Sequence, residues 1–453
     1  MFLARLALVG ALVGVAAPAV ADPQIPFEKY TLPNGLEVLL VPEPSVPLVS
    51  VSVWYHVGSG NETYGKTGFA HLFEHMLFQG SEHVGIDNHF ELLKKAGSTN
   101  VNGTTNSDRT NYFEVLPSNQ LELALWLESD RMGFLLDAPA SIKDPDYFQK
   151  SLANQIDVVR NERRQRYDNV PYGKARFAVA EGLYPEGHPY RYLTIGKHED
   201  LVKASPDDVK AFFKTWYVPA NATIAIAGDF DPAQAKQLVD KWFGKFPTST
   251  KPKVVPVPAP VIAREEVTVT DAFAKLRQIE FVWQSPANYA DGDAELDIVA
   301  SALRREGVGR LYKALVYDKT LAQGVSAWQH GSGFSGQFSI TVTLMSDADL
   351  DEVKRIVLGE VARLTKEPPT RDEIGRVIAE NESYAIRELQ TGFGRAEQLQ
   401  AYNHYLGSPD KLSWDLDRYR TTTPEKIRAV TAKYLTPDHV LTVITLPALA
   451  GGK

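Results

Sequence analysis

His71, Glu74 and His75 stand in the run Gly68-Phe69-Ala70-His71-Leu72-Phe73-Glu74-His75-Met76-Leu77-Phe78. On a helix the two histidines are one turn apart on the same face, with Glu74 beside them. Two imidazoles and a carboxylate in the order H-x-x-E-H make a zinc site with a base next to it. The bland alternative is a pair of packed core histidines, since Phe69, Leu72, Phe73, Leu77 and Phe78 surround them. Polar side chains in so apolar a setting need a partner for every buried atom, and a metal supplies one. The pattern points to a hydrolase of the peptidase class.

Catalytic zinc takes three protein ligands and keeps one position open for water. The chain has no cysteine, so nitrogen and oxygen must provide the set. Glu91, Glu114, Glu122, Glu128 and Glu162 are candidates for the third ligand, as are His83 and His89. Spacing does not choose among them. Glu162 sits in Val158-Val159-Arg160-Asn161-Glu162-Arg163-Arg164, a run that also reads as a solvated helix face of alternating charge.

Positioning these groups falls to elements whose signals recur along the chain. Strands are expected at Glu37–Val41 and Val49–His56, followed by the His71 helix and a second helix near Asn88 to Ala96. A strand region spans Thr99 to Pro117, and a long amphipathic helix follows from Ser118. Asp144-Pro145 opens another helix that runs to about Tyr167 and breaks at Asn169-Val170-Pro171-Tyr172-Gly173. Thr370-Arg371-Asp372-Glu373 has the form of a capping box.

The chain also repeats itself. Ser205-Pro206 opens a helix that exits at Pro219 before the strand-like Ala222 to Ile226; Thr423-Pro424 opens one that exits at Pro437 before Val440 to Ile444. The interval between the two prolines is 13 residues in both. Between the repeats, Pro247 to Ala263 holds five prolines and reads as an extended linker. The expected fold is α+β: two homologous domains, 22–246 and 264–453, joined by a linker over 247–263, with the zinc motif in the first only.

Residues 1–21 have the pattern of a secretory signal: Arg5, an apolar run from Leu6 to Val15, and Ala19-Val20-Ala21 before Asp22. Its removal changes the net charge from −8 to −9, because Arg5 is its only charged residue. That balance argues against a nucleic-acid footprint. No later stretch is long and apolar enough to cross a bilayer. A signal without cysteines or a later membrane span suggests a bacterial periplasmic or secreted protein.

Further stretches, together with His71 to His75, carry a family resemblance. They are Asn102-Gly103-Thr104-Thr105, Asp108-Arg109-Thr110-Asn111-Tyr112, Asn161-Glu162-Arg163-Arg164-Gln165, Pro171-Tyr172-Gly173 and His188-Pro189-Tyr190. In this order they resemble the pitrilysin, insulin-degrading enzyme and mitochondrial processing peptidase family over essentially the whole chain after the signal. The resemblance implies one zinc per chain, held by His71, His75 and Glu162, with Glu74 as general base. It implies paired α+β domains arranged like a clamshell, their halves facing each other across a chamber. It makes Asn102, Gly103, Thr104 and Thr105 an edge strand that pairs with extended substrate, where the plain reading is a strand with a bulge at Gly103.

Two departures stand out. The 86 residues between His75 and Glu162 exceed the family's usual interval, which places an insertion around Asp137 to Gln149. Where many members have a supporting glutamate two turns before the third ligand, this chain has Gln155, which can orient a neighbour but adds no charge.

Self-sufficient members also carry an arginine and, seven residues later, a tyrosine in the second half. Alignment of Leu315 to Val325 puts Val316 and Gln323 there; Arg310 and Tyr317 have the spacing but fall in the preceding helix. The chain therefore resembles the zinc-bearing subunit of heterodimeric bacterial members, whose homologous partner would supply the arginine and tyrosine. The function expected is a zinc-dependent metalloendopeptidase, or its zinc-bearing subunit, acting on short or unfolded peptides in the periplasm. The alternatives are a peptidase that works alone as monomer or homodimer, and a structural relative without catalysis.

Overall fold

The structure, a computed structural model, describes residues 22–139, 142 and 144–448. The signal expected at 1–21 lies outside them, and so do residues 140, 141 and 143 of the expected insertion. In the first half, β1 (Glu28–Thr31), β2 (Glu37–Pro42), β3 (Leu48–Tyr55), β4 (Asn100–Thr105), β5 (Thr110–Pro117) and β6 (Ala222–Gly228) form one sheet. Its order is β1-β2-β6-β3-β5-β4, with β2 and β6 parallel and all other neighbours antiparallel. Its helices are α1 (Phe69–Met76), α2 (Asn88–Lys95), α3 (Leu121–Phe134), α4 (Tyr147–Arg163), α5 (Gly173–Leu183), α6 (His198–Lys203), α7 (Pro206–Trp216) and α8 (Pro232–Phe243).

The second half repeats the plan. Strands β7 (Glu265–Asp271), β8 (Gln278–Ser285), β9 (Ala322–Gly331), β10 (Gly336–Leu344) and β11 (Leu441–Pro447) run in the order β7-β11-β8-β10-β9. Only β7 and β11 are parallel, as β2 and β6 are in the first sheet. The helices are α9 (Asp293–Arg304), α10 (Arg310–Tyr312), α11 (Leu350–Leu364), α12 (Arg371–Glu388), α13 (Gly392–Leu406), α14 (Leu412–Arg420) and α15 (Pro424–Tyr434). The repeat seen in the sequence is thus α7 leading into β6 and α15 leading into β11, with each strand pairing with the first long strand of its sheet. Residues 247–264 contain neither helix nor strand.

Alternation along the central strands buries both faces of the first sheet. Val38 and Leu40 of β2 and Ile224 and Ile226 of β6 face a core built with α1, α3, α7 and α8. Leu39, Val41, Ala225 and Ala227 face the other way, against Ala396 and Leu399 of α13. The alanines let a helix of the second half lie close to the strands. The second sheet is covered in return by α5, whose Ala175, Val179 and Leu183 pack on Val282, Leu441 and Val443. The two α+β domains are therefore present, but each sheet's second face is occupied by a helix of the other half. The chamber implied by the resemblance does not lie between these faces.

Smaller differences have local causes. The register of β4 on β5 is unbroken from Asn100 to Thr105, so Gly103 is not a bulge. A 3₁₀ turn, Ser118–Gln120, precedes α3. The helix expected from Asp144 starts at Tyr147, because the Asp144 carboxylate accepts the Asp146 N–H in a preceding turn. Thr370 and Glu373 form the reciprocal capping box at the start of α12.

Candidate metal centre

The N-terminus of α1 is held from both sides. Gly68 caps it at φ 89°, a left-handed conformation that favours glycine. Glu62 reaches in from the preceding loop, its two carboxylate oxygens accepting the Gly68 and Ala70 N–H groups, each at 2.8 Å. These are first-turn donors that the helix itself cannot satisfy. Burial pushes the Glu62 carboxyl up to about 8 although these bonds pull the other way. Sequence reasoning missed Glu62, because a carboxylate ahead of a helix cap shows no periodicity.

Phe69 and Phe73 turn inward from α1 onto Phe212 of α7, and Phe73 also meets Phe213 and Tyr217. The opposite side of α1 thereby presents His71, Glu74 and His75 to α4 and β4. Glu162, near the end of α4, completes the group: its Oε2 lies 3.5 Å from His71 Nε2 and 3.2 Å from His75 Nε2. The three ligand atoms lie within 4.8 Å of one another. Donors around a tetrahedral zinc at about 2.0–2.1 Å stand about 3.3 Å apart, so these residues fit that ion in type and separation.

The charge states agree with this arrangement. Burial pushes the His71 imidazole down to about 4, with His75 and Arg166 adding to the effect and Glu162 opposing it, which favours the neutral form that a metal requires. Burial pushes Glu162 up, but the neighbouring imidazoles and the Arg166 guanidinium outweigh it and hold the carboxyl below its ordinary range.

Glu74 is set apart by β4. Its Oε2 accepts the Thr105 hydroxyl proton at 2.7 Å. Its carboxyl is raised, chiefly by burial, with Thr105 and His75 opposing and Glu162 adding. Gly103 explains how the base fits against the strand. A Cβ there would meet Glu74 Cγ, Phe78 Cε2 and Tyr112 Cδ1, each at 3.1 Å.

The other expected site residues divide. β4 is the last strand of its sheet, so its outer edge is unpaired among the described residues. Asn102 is exposed on it. The Thr104 hydroxyl is taken up by Asn111 Oδ1 at 2.6 Å and by Arg109. The side chain of Thr105 thus serves the base, and that of Thr104 serves the sheet, leaving backbone groups to meet a ligand. Gln155 is buried on α4, but among the described residues no hydrogen bond joins it to His71, His75 or Glu162. Its expected supporting role gains nothing from the geometry.

Among the described residues, none of the other ligand candidates joins this group. Glu122 pairs with Lys241, and His83 Nδ1 lies 2.6 Å from Asp130. Glu91 is exposed on α2. His89, Glu114 and Glu128 form a second group of metal-ligating type, fully buried. Its cation is already present: Arg131 lies 3.1 Å from Glu128 Oε1 and 3.2 Å from His89 Nδ1. In the second half, Arg310 donates to the carbonyls of Glu367 and Pro368, Tyr317 is exposed, Val316 packs on the core and Gln323 is exposed on β9.

A family model described as Insulinase (Peptidase family M16) matches residues 37–134, which contain His71, Glu74 and His75. Another, described as Peptidase M16 inactive domain, matches residues 203–381. Glu162 falls between the two. The chain is 26% identical over 388 residues to zinc protease PqqE of Helicobacter pylori, covering 84% of each. The crystal structure of a protease from Helicobacter pylori shares the fold with a TM-score of 0.84 at 24% identity, over 93% of this chain and 99% of that one. The periplasmic protease PqqL from Escherichia coli gives 0.76 at 16% identity, over 95% of this chain and 48% of that one.

Proposed function

We propose that this chain, which belongs to peptidase family M16 by two models that together match more than half of it, is a zinc-dependent endopeptidase or its zinc-bearing subunit. The observation that carries the reading is the meeting of Glu162 Oε2 with both Nε2 atoms across two helices. His71, His75 and Glu162 would hold the ion. When bound, zinc acidifies water and polarises a scissile carbonyl. Glu74, raised by its burial, accepts the proton of the attacking water and returns it to the leaving amine. Thr105 keeps its carboxylate turned toward the site.

The open edge of β4 supports a peptide substrate. An extended segment adds to such an edge through backbone hydrogen bonds, which favours short or unfolded peptides and tolerates varied sequence. We place the protein outside the cytoplasm, in the periplasm of a bacterium, on the signal pattern at 1–21 and the lack of cysteine.

The oxyanion of a tetrahedral intermediate needs a donor. Arg310 is spent on two backbone carbonyls, and Val316 and Gln323 offer no cation. This supports a homologous second subunit that contributes an arginine and a tyrosine over a reading in which the chain works alone. The test is cleavage of an unstructured fluorogenic peptide by purified protein, with and without such a partner. Glu74→Gln should lose about 10²–10⁴-fold in rate while retaining metal. Equal rates for Glu74→Gln and wild type would sink the enzyme; full turnover by the chain alone would end the two-subunit reading.

A further inference from the structure

Beyond Arg163 the backbone leaves the α-helix in a wider π-type turn, Arg164–Asp168, closed by Asn169 N–H donating to Arg164 O at 2.8 Å. Turns of this kind gather at functional sites. Four arginines crowd this stretch, and three are engaged away from the ligands. Arg160 holds Asp157 at 2.8 Å and His198, Arg163 holds the Gly196 carbonyl at 2.6 Å, and Arg164 holds Asn161. Arg166 alone turns back, placing its terminal nitrogen 3.0 Å from Glu162 Oε1. The guanidinium side is 73% exposed and the carboxylate 16%, so Arg166 stands at the mouth of the site and Glu162 inside it.

Glu162 therefore divides its oxygens, Oε2 toward the two imidazoles and Oε1 toward Arg166. Resting on the zinc reading above, we propose that Arg166 is a positioning residue. By occupying Oε1 it makes Glu162 a one-oxygen ligand and keeps the remaining coordination position open. It supports the third ligand from one turn downstream, in a chain where Gln155, two turns upstream, makes no bond to any ligand. A cation so close also opposes binding of a second cation. At this exposure water screens much of that repulsion, so orientation outweighs it.

The experiment titrates zinc into the metal-free full-length chain against a competing chelator, and records the cobalt(II) absorption spectrum of each variant. Arg166→Ala should bind zinc about 10–100-fold more weakly and change the cobalt band, as Oε1 becomes free to ligate. Arg166→Lys should recover part of the affinity. Arg164→Ala removes an equal charge without touching Glu162 and should match wild type. Matching behaviour of Arg166→Ala and Arg164→Ala in both measurements would overturn the role of Arg166. A wild-type chain that takes up no zinc would instead bring down the metal reading itself.

Discussion

Glu74 and the histidines flanking it share a helix but are held by different elements. The imidazoles are fixed by α1 and meet Glu162 from α4, whereas the Glu74 carboxylate is fixed by a hydroxyl on β4. Thr105→Val should therefore lower kcat about 10-fold or more while zinc content stays at the wild-type level, since a hydrogen bond to a charged group is lost but no ligand is. Rate and metal analysis on one preparation check this; parallel loss of both would place Thr105 with the ligands. His71, Glu74 and His75 were legible because one helical turn brings them together in sequence as in space. Glu162 was not, since spacing says nothing about which of several carboxylates a distant helix delivers, and only the resemblance selected it. Glu62 and Arg166 stayed hidden, and Thr105 was read as meeting substrate rather than the base, because these contacts arise where a loop, a π-type turn and a strand meet α1 and α4.

Among elements, the contact of α1 with β4 governs the base. Gly103 is the point of closest approach, and an added methyl group there meets the Glu74 side chain, Phe78 and Tyr112 at once. Gly103→Ala should cost about 1–3 kcal/mol of stability, measurable by denaturant unfolding, and should impair turnover more than zinc binding. A variant of wild-type stability and rate would show that α1 and β4 are free to separate. The strand at Val49 was readable from alternation, those near Glu37 and Thr99 to Pro117 from runs of strand-forming residues, and the capping box at Thr370 from side-chain chemistry. The bulge that the plain reading offered at Gly103 is absent, because a glycine in a strand signals close approach as readily as irregular register. Here the approaching group is the side chain of Glu74.

At the scale of the whole molecule, the halves are joined by exchange. α13 covers the first sheet and α5 the second, and Asp108, in the turn between β4 and β5, accepts Gly333 N–H at 3.0 Å and the Tyr405 hydroxyl at 3.1 Å. The duplicated units could be read from the two proline-bounded helices. The exchange could not, because an apolar helix face does not name the sheet it will cover. Glu280 of β8 lies at this seam, where burial pushes its carboxyl from 4.5 up to about 7 against the opposing charge of Arg176 on α5. The folded chain therefore holds that proton more tightly than the unfolded chain. Its contribution to stability is complete below about 4.5 and is lost as pH rises toward about 7. Melting temperatures should fall between pH 5 and pH 8 more in wild type than in Glu280→Gln; identical pH dependence would contradict this. Every part of the proposed chemistry depends on α1 and α4 meeting at one ion. The most direct measurement is the zinc content of purified wild-type and Glu162→Ala protein, both confirmed folded. About one zinc per chain in wild type and a large loss in Glu162→Ala is the predicted result; full zinc in the variant, or none in wild type, would contradict it.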